Sequence, residues 1–314
     1  MKKNKFLFCI GLLLTVATIV NAQSVTWISS TEGNVWQKSK VKLQSKSEQN
    51  PVLQVDGTEN GVAFKNWGTT FNELCWDALG LLTRTEQDEI LYNIFSPQGD
   101  FRITRGRISM GANDYARSWY SCDEVEGDFE LRYFNINRDK QTIIPFIRAA
   151  QKYNPNLTFW ISPWCPPSWM KINGDYPVLS SPFNSLSEKQ NYLLYGATGG
   201  QVDENEMKLT GARDGVFPRQ LATTDFMIQD PRYLQTYADY FCRFIDAYKE
   251  QGIPIEMVMY QNEAYSYTPY PGCAWTATGT IRFNKEYLAP TLRQMHPEVK
   301  LYLGTFNTNR QDHV

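Results

Sequence analysis

Histidine is almost missing from this chain of 314 residues: His296 and His313 are its only two. Neither stands near a cysteine or carboxylate at a zinc-ligand spacing. A His-ligated metal and a His-dependent nucleophile are therefore not expected, no cofactor is called for, and any chemistry falls to carboxylates. Cysteine is scarce as well. Beyond Cys9, the five at Cys75, Cys122, Cys165, Cys242 and Cys273 are odd in number and widely spaced, unlike a disulfide framework. At least one thiol stays free, and the fold has to rest on its core. An excess of one charge is lacking too, with a formal net charge of −2 and a pI near 5.8. This gives no electrostatic reason to expect nucleic acid or anionic lipid as a partner. No repeat, charge block or low-complexity stretch is visible.

Long apolar runs are absent except at the start. Lys2, Lys3 and Lys5 precede the apolar stretch Phe6–Val20, and Val20-Asn21-Ala22 then supplies small residues at cleavage positions. This is the form of a secretory signal over residues 1–22, with the mature chain beginning at Gln23. The run is short for a membrane span, and polar Asn21, Gln23 and Ser24 follow at once. Cys9 lies too early for a lipoprotein cleavage site. The expectation is export to the periplasm, cell surface or medium, with no stable membrane insertion after cleavage.

Aromatic residues are plentiful, 14% of the chain with nine Trp. Residues 23–60 read as short strands: Val25, Trp27 and Ile28, then Val41 and Leu43, then Val52, Leu53 and Val55. From residue 61 the pattern changes to strands alternating with helices. Strands are expected at about Val62–Trp67, Phe101–Ser109, Leu157–Ser162, Ile255–Tyr260 and Val299–Phe306. Thr83-Arg84-Thr85-Glu86 has the form of a capping box and opens a helix with Ile90, Leu91, Ile94 and Phe95 on one face. A second helix lies between Asp139 and Tyr153, with Pro145 near its start. Asp230 as N-cap and Pro231 at the first position open a third, which Gly252 and Pro254 stop. A fourth covers about Ile281–Met295. Strand–helix–strand order of this kind implies a parallel sheet with right-handed crossovers. A (β/α)8 TIM barrel, incomplete here at about five of eight strands, fits best, because polar and aromatic residues gather just after each strand. A doubly wound sheet is the alternative, but no glycine-rich loop follows the first strand.

Three constellations could carry chemistry. Gln261-Asn262-Glu263 follows an apolar strand, where a half-buried carboxylate can be tuned to donate a proton and the Asn amide can bond a hydroxyl. In Ser162-Pro163-Trp164-Cys165-Pro166-Pro167-Ser168-Trp169-Met170 three prolines stiffen the backbone, so that Trp164 or Trp169 could offer a flat face to a sugar ring, the other being structural. In Gly106–Tyr115, Arg107 interrupts an apolar strand and so should be paired, and Asp114 lies past the strand's end. The plain alternatives are a solvated strand end, ordinary aromatic packing and a buried ion pair. Asp203-Glu204-Asn205-Glu206 does not meet calcium-loop spacing and reads as surface loop.

Taken in order, Gly106–Tyr115, Glu126-Gly127-Asp128-Phe129, Ser162–Lys171 with Asn173-Gly174, Tyr237–Phe241 and Gln261-Asn262-Glu263 resemble glycoside hydrolase family 30, the glucosylceramidase-like (β/α)8 retaining glycosidases. The resemblance runs from about residue 60 to the end. It implies Glu263 as acid/base, Asn262 on the hydroxyl beside the reacting carbon, Asp114 on other hydroxyls, Trp164 lining the subsite, and Arg107 supporting its electrostatics. It also implies that residues 23–60 contribute to a side β-sandwich, and that the substrate is a β-linked glucan or glucoside: β-1,6-glucan, with glucosylceramide-like or xyloside substrates as alternatives.

Two departures from the family follow. The nucleophile there comes after the seventh barrel strand, so it is expected beyond Val314, and the chain by itself is expected to be inactive. Gly174–Gln229 is longer than the usual connection after the third strand, and a segment of that length is not an idle linker. It is expected to wall the cleft. An exported glycan-binding protein that kept the barrel without catalysis is the alternative from another class.

Overall fold

The computed structural model describes residues 24–42, 66–186, 225–264, 268–303 and 305. The expected signal segment, the strands at Val52–Val55 and most of the long 174–229 segment lie outside them. The chain divides into two compact units, Met1–Ala63 and Phe64–Val314. In the first, β1 (Ser24–Thr31) and β2 (Asn34–Lys42) form an antiparallel hairpin. Gly33, at φ +78, supplies the left-handed turn conformation that the tight connection requires.

The second unit holds a five-stranded, all-parallel sheet: β3 (Gly68–Phe71), β4 (Arg105–Ser109), β5 (Thr158–Ser162), β6 (Ile255–Met259) and β7 (Lys300–Tyr302). Its spatial order is β3-β4-β5-β6-β7, the same as the chain order. A doubly wound sheet reverses direction partway and carries helices on both faces. Sequential order with right-handed crossovers winds one way only, as barrel strands do.

Local signals set most of the helices. Asn72 caps α1 (Glu73–Gly80) by accepting from Cys75 N. The capping box of α2 (Arg84–Phe95) forms in both directions, Glu86 N to Thr83 Oγ1 and Thr83 N to Glu86 Oε2. α3 spans Ile143–Gln151 after a short 3-10 turn, Asp139–Gln141. Asp230 caps α4 (Pro231–Glu250), whose Leu234, Tyr237, Phe241, Phe244, Ile245 and Tyr248 are all buried. The main core lies between these helices and one face of the sheet. There Phe71, Ile108, Ile161 and Val258, partners along one register row, are fully buried. A Cβ on Gly106 would come within 2.5 Å of the Phe71 ring and 2.8 Å of the Phe159 ring, so only glycine lets those rings close over the strand.

Several expected boundaries move. The first described barrel strand is Gly68–Phe71; of the expected Val62–Trp67 only Asn66 and Trp67 are among the described residues, and they lie just before it. Its one large apolar side chain, Phe71, packs on Phe95, Phe146 and Phe159, and those remote rings decide the register. β4 begins at Arg105 rather than Phe101, because Phe101 N and Ile103 N are drawn back onto the end of α2, at Asn93 O and Ile94 O. Helix α1 is an addition to the expected elements. The helix expected at Ile281–Met295 starts earlier and divides into α5 (Ala277–Arg282), a π-helical stretch (Phe283–Leu288) and α6 (Ala289–Met295). Pro290 explains the irregularity, since it offers no N–H to the preceding turn and crowds it. The five cysteines from Cys75 to Cys273 are free thiols, four of them buried.

Candidate active site

The sheet's second face is different in kind. Arg107 and Trp160 are register partners along it and are half-buried, and Arg105 bridges to Glu256 at 2.6 Å. The register slips between Phe159 and Trp160, whose partners on β6 are Ile255 and Met257. Glu256 is the extra residue of that bulge, a usual device for re-aiming a side chain.

Arg107 is the centre of the arrangement. Its Nε and Nη2 donate to Ser162 Oγ at 3.0 and 2.8 Å, and Nη2 donates to Asn262 Oδ1 at 2.6 Å. The guanidinium lies over the rings of Trp164 and Trp160, 4.2 and 4.8 Å from their centroids. Burial pushes its pKa down to about 10, opposed by the charges of Asp114 and Glu263. The pairing expected for Arg107 is thus made by hydrogen bonds to neutral oxygens and by two aromatic faces, and not by the direct ion pair that was the plain alternative. Its counter-charges act through space. The guanidinium fork suits this role because its donors are fixed in a plane that can also stack.

The strand ends converge on this cation. After β6, Asn262 N donates to Pro163 O at 2.8 Å, tying the Gln261–Glu263 segment to the loop that follows β5. Asn262 also bridges in parallel to Thr305, beyond β7. Arg107 can only donate, so the Asn262 amide oxygen must face it, and the Nδ2 end is turned to whatever binds above. Asp114 is exposed on the loop after β4. That loop is clamped: Leu74 N donates to Tyr115 O, and buried Glu73 accepts from Arg117 N and from Arg138 Nε and Nη2. Glu263, Asn262, Asp114, Trp164 and Arg107, read separately from the sequence, are therefore grouped around one guanidinium.

The tryptophans divide. Trp169 is packed against Phe129 and Tyr233 and donates through Nε1 to Asp123 O, a structural position. Trp164 is 7% exposed with one face given to Arg107, so in this structure its evident work is to hold the cation. Ser162, Trp160 and Gln261 join the site without being individual candidates from the sequence. Ser162 and Trp160 are, however, the residues that alternation along β5 places on the same face as the next strand's Arg107. The described ends of the long segment reach this edge as well. Ile172 N bonds Phe226 O, Val178 N bonds Thr268 O, and Gly272 N bonds Tyr176 O, so both ends lie beside the loop after β6.

A singly wound parallel sheet with carboxylates, an amide and a half-buried cation gathered at the C-terminal strand ends is the arrangement of part of a (β/α) barrel. Residues 64–181 match the Glycosyl hydrolase family 30 TIM-barrel domain, a span that includes Arg107, Asp114 and Trp164. Over this segment the chain resembles glycoside hydrolase family 30. It is 25% identical over 270 residues to the endo-1,6-β-D-glucanase neg1 of Aspergillus fumigatus, covering 84% of this chain and 48% of that protein. It is 26% identical over 229 residues to the lysosomal acid glucosylceramidase of Mus musculus, covering 71% of this chain and 36% of that one. The crystal structure of SrfJ from Salmonella typhimurium shares the fold, with a TM-score of 0.62 and 18% identity over 88% of this chain and 52% of the other. The chain thus spans about half or less of the length of the curated relatives it matches.

Proposed function

We propose that the chain is the barrel part of an exported retaining β-glycosidase acting on β-glucosides, with β-1,6-glucan or a glucosylceramide-like glycolipid as substrate. The observation that carries this reading is the Arg107 cluster. One half-buried cation binds the Asn262 amide and feels the charges of both Asp114 and Glu263. The substrate class comes from the relatives, named as an endo-1,6-β-glucanase and a glucosylceramidase.

In this reading Glu263 protonates the leaving oxygen and then draws the proton from the incoming water. Asn262, its oxygen committed to Arg107, offers Nδ2 to the hydroxyl beside the reacting carbon. Asp114 accepts from hydroxyls farther round the ring, and Trp164 lines the subsite. Arg107 keeps the amide turned outward and balances the two carboxylates. A retaining mechanism needs a second carboxylate about 5–5.5 Å from the first, and no described residue is assigned that part.

Glu263→Gln in the full-length protein tests the reading. Turnover of an alkyl β-glucoside, which needs a proton donor, is expected to fall by about 100-fold or more while sugar binding persists. Absence of any turnover in the unmodified protein favours the glycan-binding alternative. Full activity in the variant refutes Glu263 as the acid.

A further inference from the structure

Glu263 sits at φ +49, the left-handed region that residues with a side chain rarely occupy. Such a conformation persists only where its surroundings over-determine it. Here both ends of the peptide that precedes Glu263 are held. Its carbonyl, Asn262 O, accepts from Gln261 Nε2 at 2.8 Å. Its N–H, from Glu263, donates to Thr305 O and Thr305 Oγ1, each at 3.2 Å. Turning this peptide to give Glu263 an ordinary φ would break both attachments.

Gln261 is itself fixed. It is fully buried, its Nε2 also donates to Trp164 O at 2.7 Å, and its Oε1 accepts from Trp275 Nε1 at 3.2 Å. The indole can only donate, so the amide cannot be reversed, and its two N–H groups must face the two carbonyls. Trp164 O belongs to the loop after β5, and Trp275 to the loop after β6. One side chain therefore references the peptide of Glu263 to two loops at once.

We propose that Gln261 is a positioning residue that aims Glu263, by holding the Asn262–Glu263 peptide in the orientation that the left-handed backbone requires. The proposal deepens the reading of Glu263 as acid/base and rests on it for its kinetic consequence, though not for its structural one. Gln261→Met keeps length and removes both donors. Gln261→Glu keeps the acceptor for Trp275 and turns a carboxylate oxygen toward two carbonyl oxygens. Two variants are used so that failure of one to fold does not end the test.

The experiment is made on the full-length protein, with crystal structures of wild type and variants and kinetics on two probes. 2,4-Dinitrophenyl β-glucoside expels its phenolate without a proton, whereas methyl β-glucoside needs its leaving oxygen protonated to release methanol. The expected structural result is that the 262–263 peptide rotates and Glu263 leaves positive φ in the variants. The expected kinetic result is that kcat/KM on the methyl glucoside falls roughly 10- to 100-fold, part of the usual worth of a general acid, with less than about a 3-fold change on the dinitrophenyl glucoside. A merely structural role for Gln261 would depress both substrates alike. Equal losses on the two probes, or Glu263 unmoved in a folded variant, overturn the proposal. If the wild type cleaves neither probe, the acid/base reading fails, and the orientation of the peptide in the variant crystals still decides the role of Gln261.

Discussion

Replacing Asp139 by Asn is expected to make the protein relatively more stable as pH rises from about 4.5 to 7.5, with a size that follows from where the carboxyl lies. Asp139 is fully buried at the turn before α3. Burial raises its pKa from 3.8 to about 6, against the lowering effect of hydrogen bonds from Tyr248 and Tyr120. Those hydroxyls donate to Oδ2 at 2.6 Å and Oδ1 at 2.7 Å. An acid whose pKa is higher folded than unfolded contributes stability that is full below the unfolded value, here 3.8. That contribution is lost as pH rises through the folded value of about 6. A tenfold change in proton affinity corresponds to about 1.4 kcal/mol, so the whole loss is about 3 kcal/mol, of which about 2 kcal/mol falls between pH 4.5 and 7.5. Asn carries no charge, so Asp139→Asn escapes this loss. Its Oδ1 can accept from one tyrosine, while its Nδ2 faces the other as a donor. Asp123, pushed to about 6 chiefly by burial with Asp128 beside it, titrates in the same window but is common to both proteins and cancels in their difference. Urea unfolding of wild type and variant at several pH values supplies the test. The stability difference is expected to move by about 2 kcal/mol in favour of the variant between pH 4.5 and 7.5. Parallel pH curves would refute the assignment of a charged, buried Asp139 at neutral pH.

Three further outcomes follow from geometry. Gly106→Ala forces a methyl group into the Phe71 and Phe159 rings and is expected to destabilise by about 1–3 kcal/mol or more, read as a lower urea midpoint. Thr83→Ala removes one arm of the capping box of α2 and is expected to cost about 1 kcal/mol, with no effect on sugar binding by titration calorimetry. Arg107→Lys keeps the charge but not the fork shared by Ser162 and Asn262. Loss of a hydrogen bond to a charged group is worth about 1.5–3 kcal/mol, so kcat/KM on an aryl β-glucoside is expected to fall by at least about 10-fold.

What the residues determined by themselves is what depends on near neighbours in the chain. The capping box at Thr83, the Asp230-Pro231 start of α4 and its buried face need only residues a turn or two away, and they stand where they are expected. The alternation of strands and helices likewise announces the parallel sheet, and its strand order follows the chain. The motif residues can be named for the same reason, Asp114, Trp164, Asn262 and Glu263 each lying past a strand's end and Arg107 interrupting an apolar strand. Tertiary structure decided how they meet. Arg107 finds Ser162 55 residues away and Asn262 155 residues away, and nothing in the chemistry of Arg alone distinguishes those neutral oxygens from a carboxylate partner. Phe71 fixes the first barrel strand through rings from α2, α3 and β5, where the local apolar pattern places that strand several residues earlier. Asp139 reaches Tyr248 across 109 residues, and its raised pKa exists only inside that packing. Caps and periodicities are written in short-range sterics and hydrogen bonding. Partners across a parallel sheet are chosen by register, and the register is settled only when the core closes.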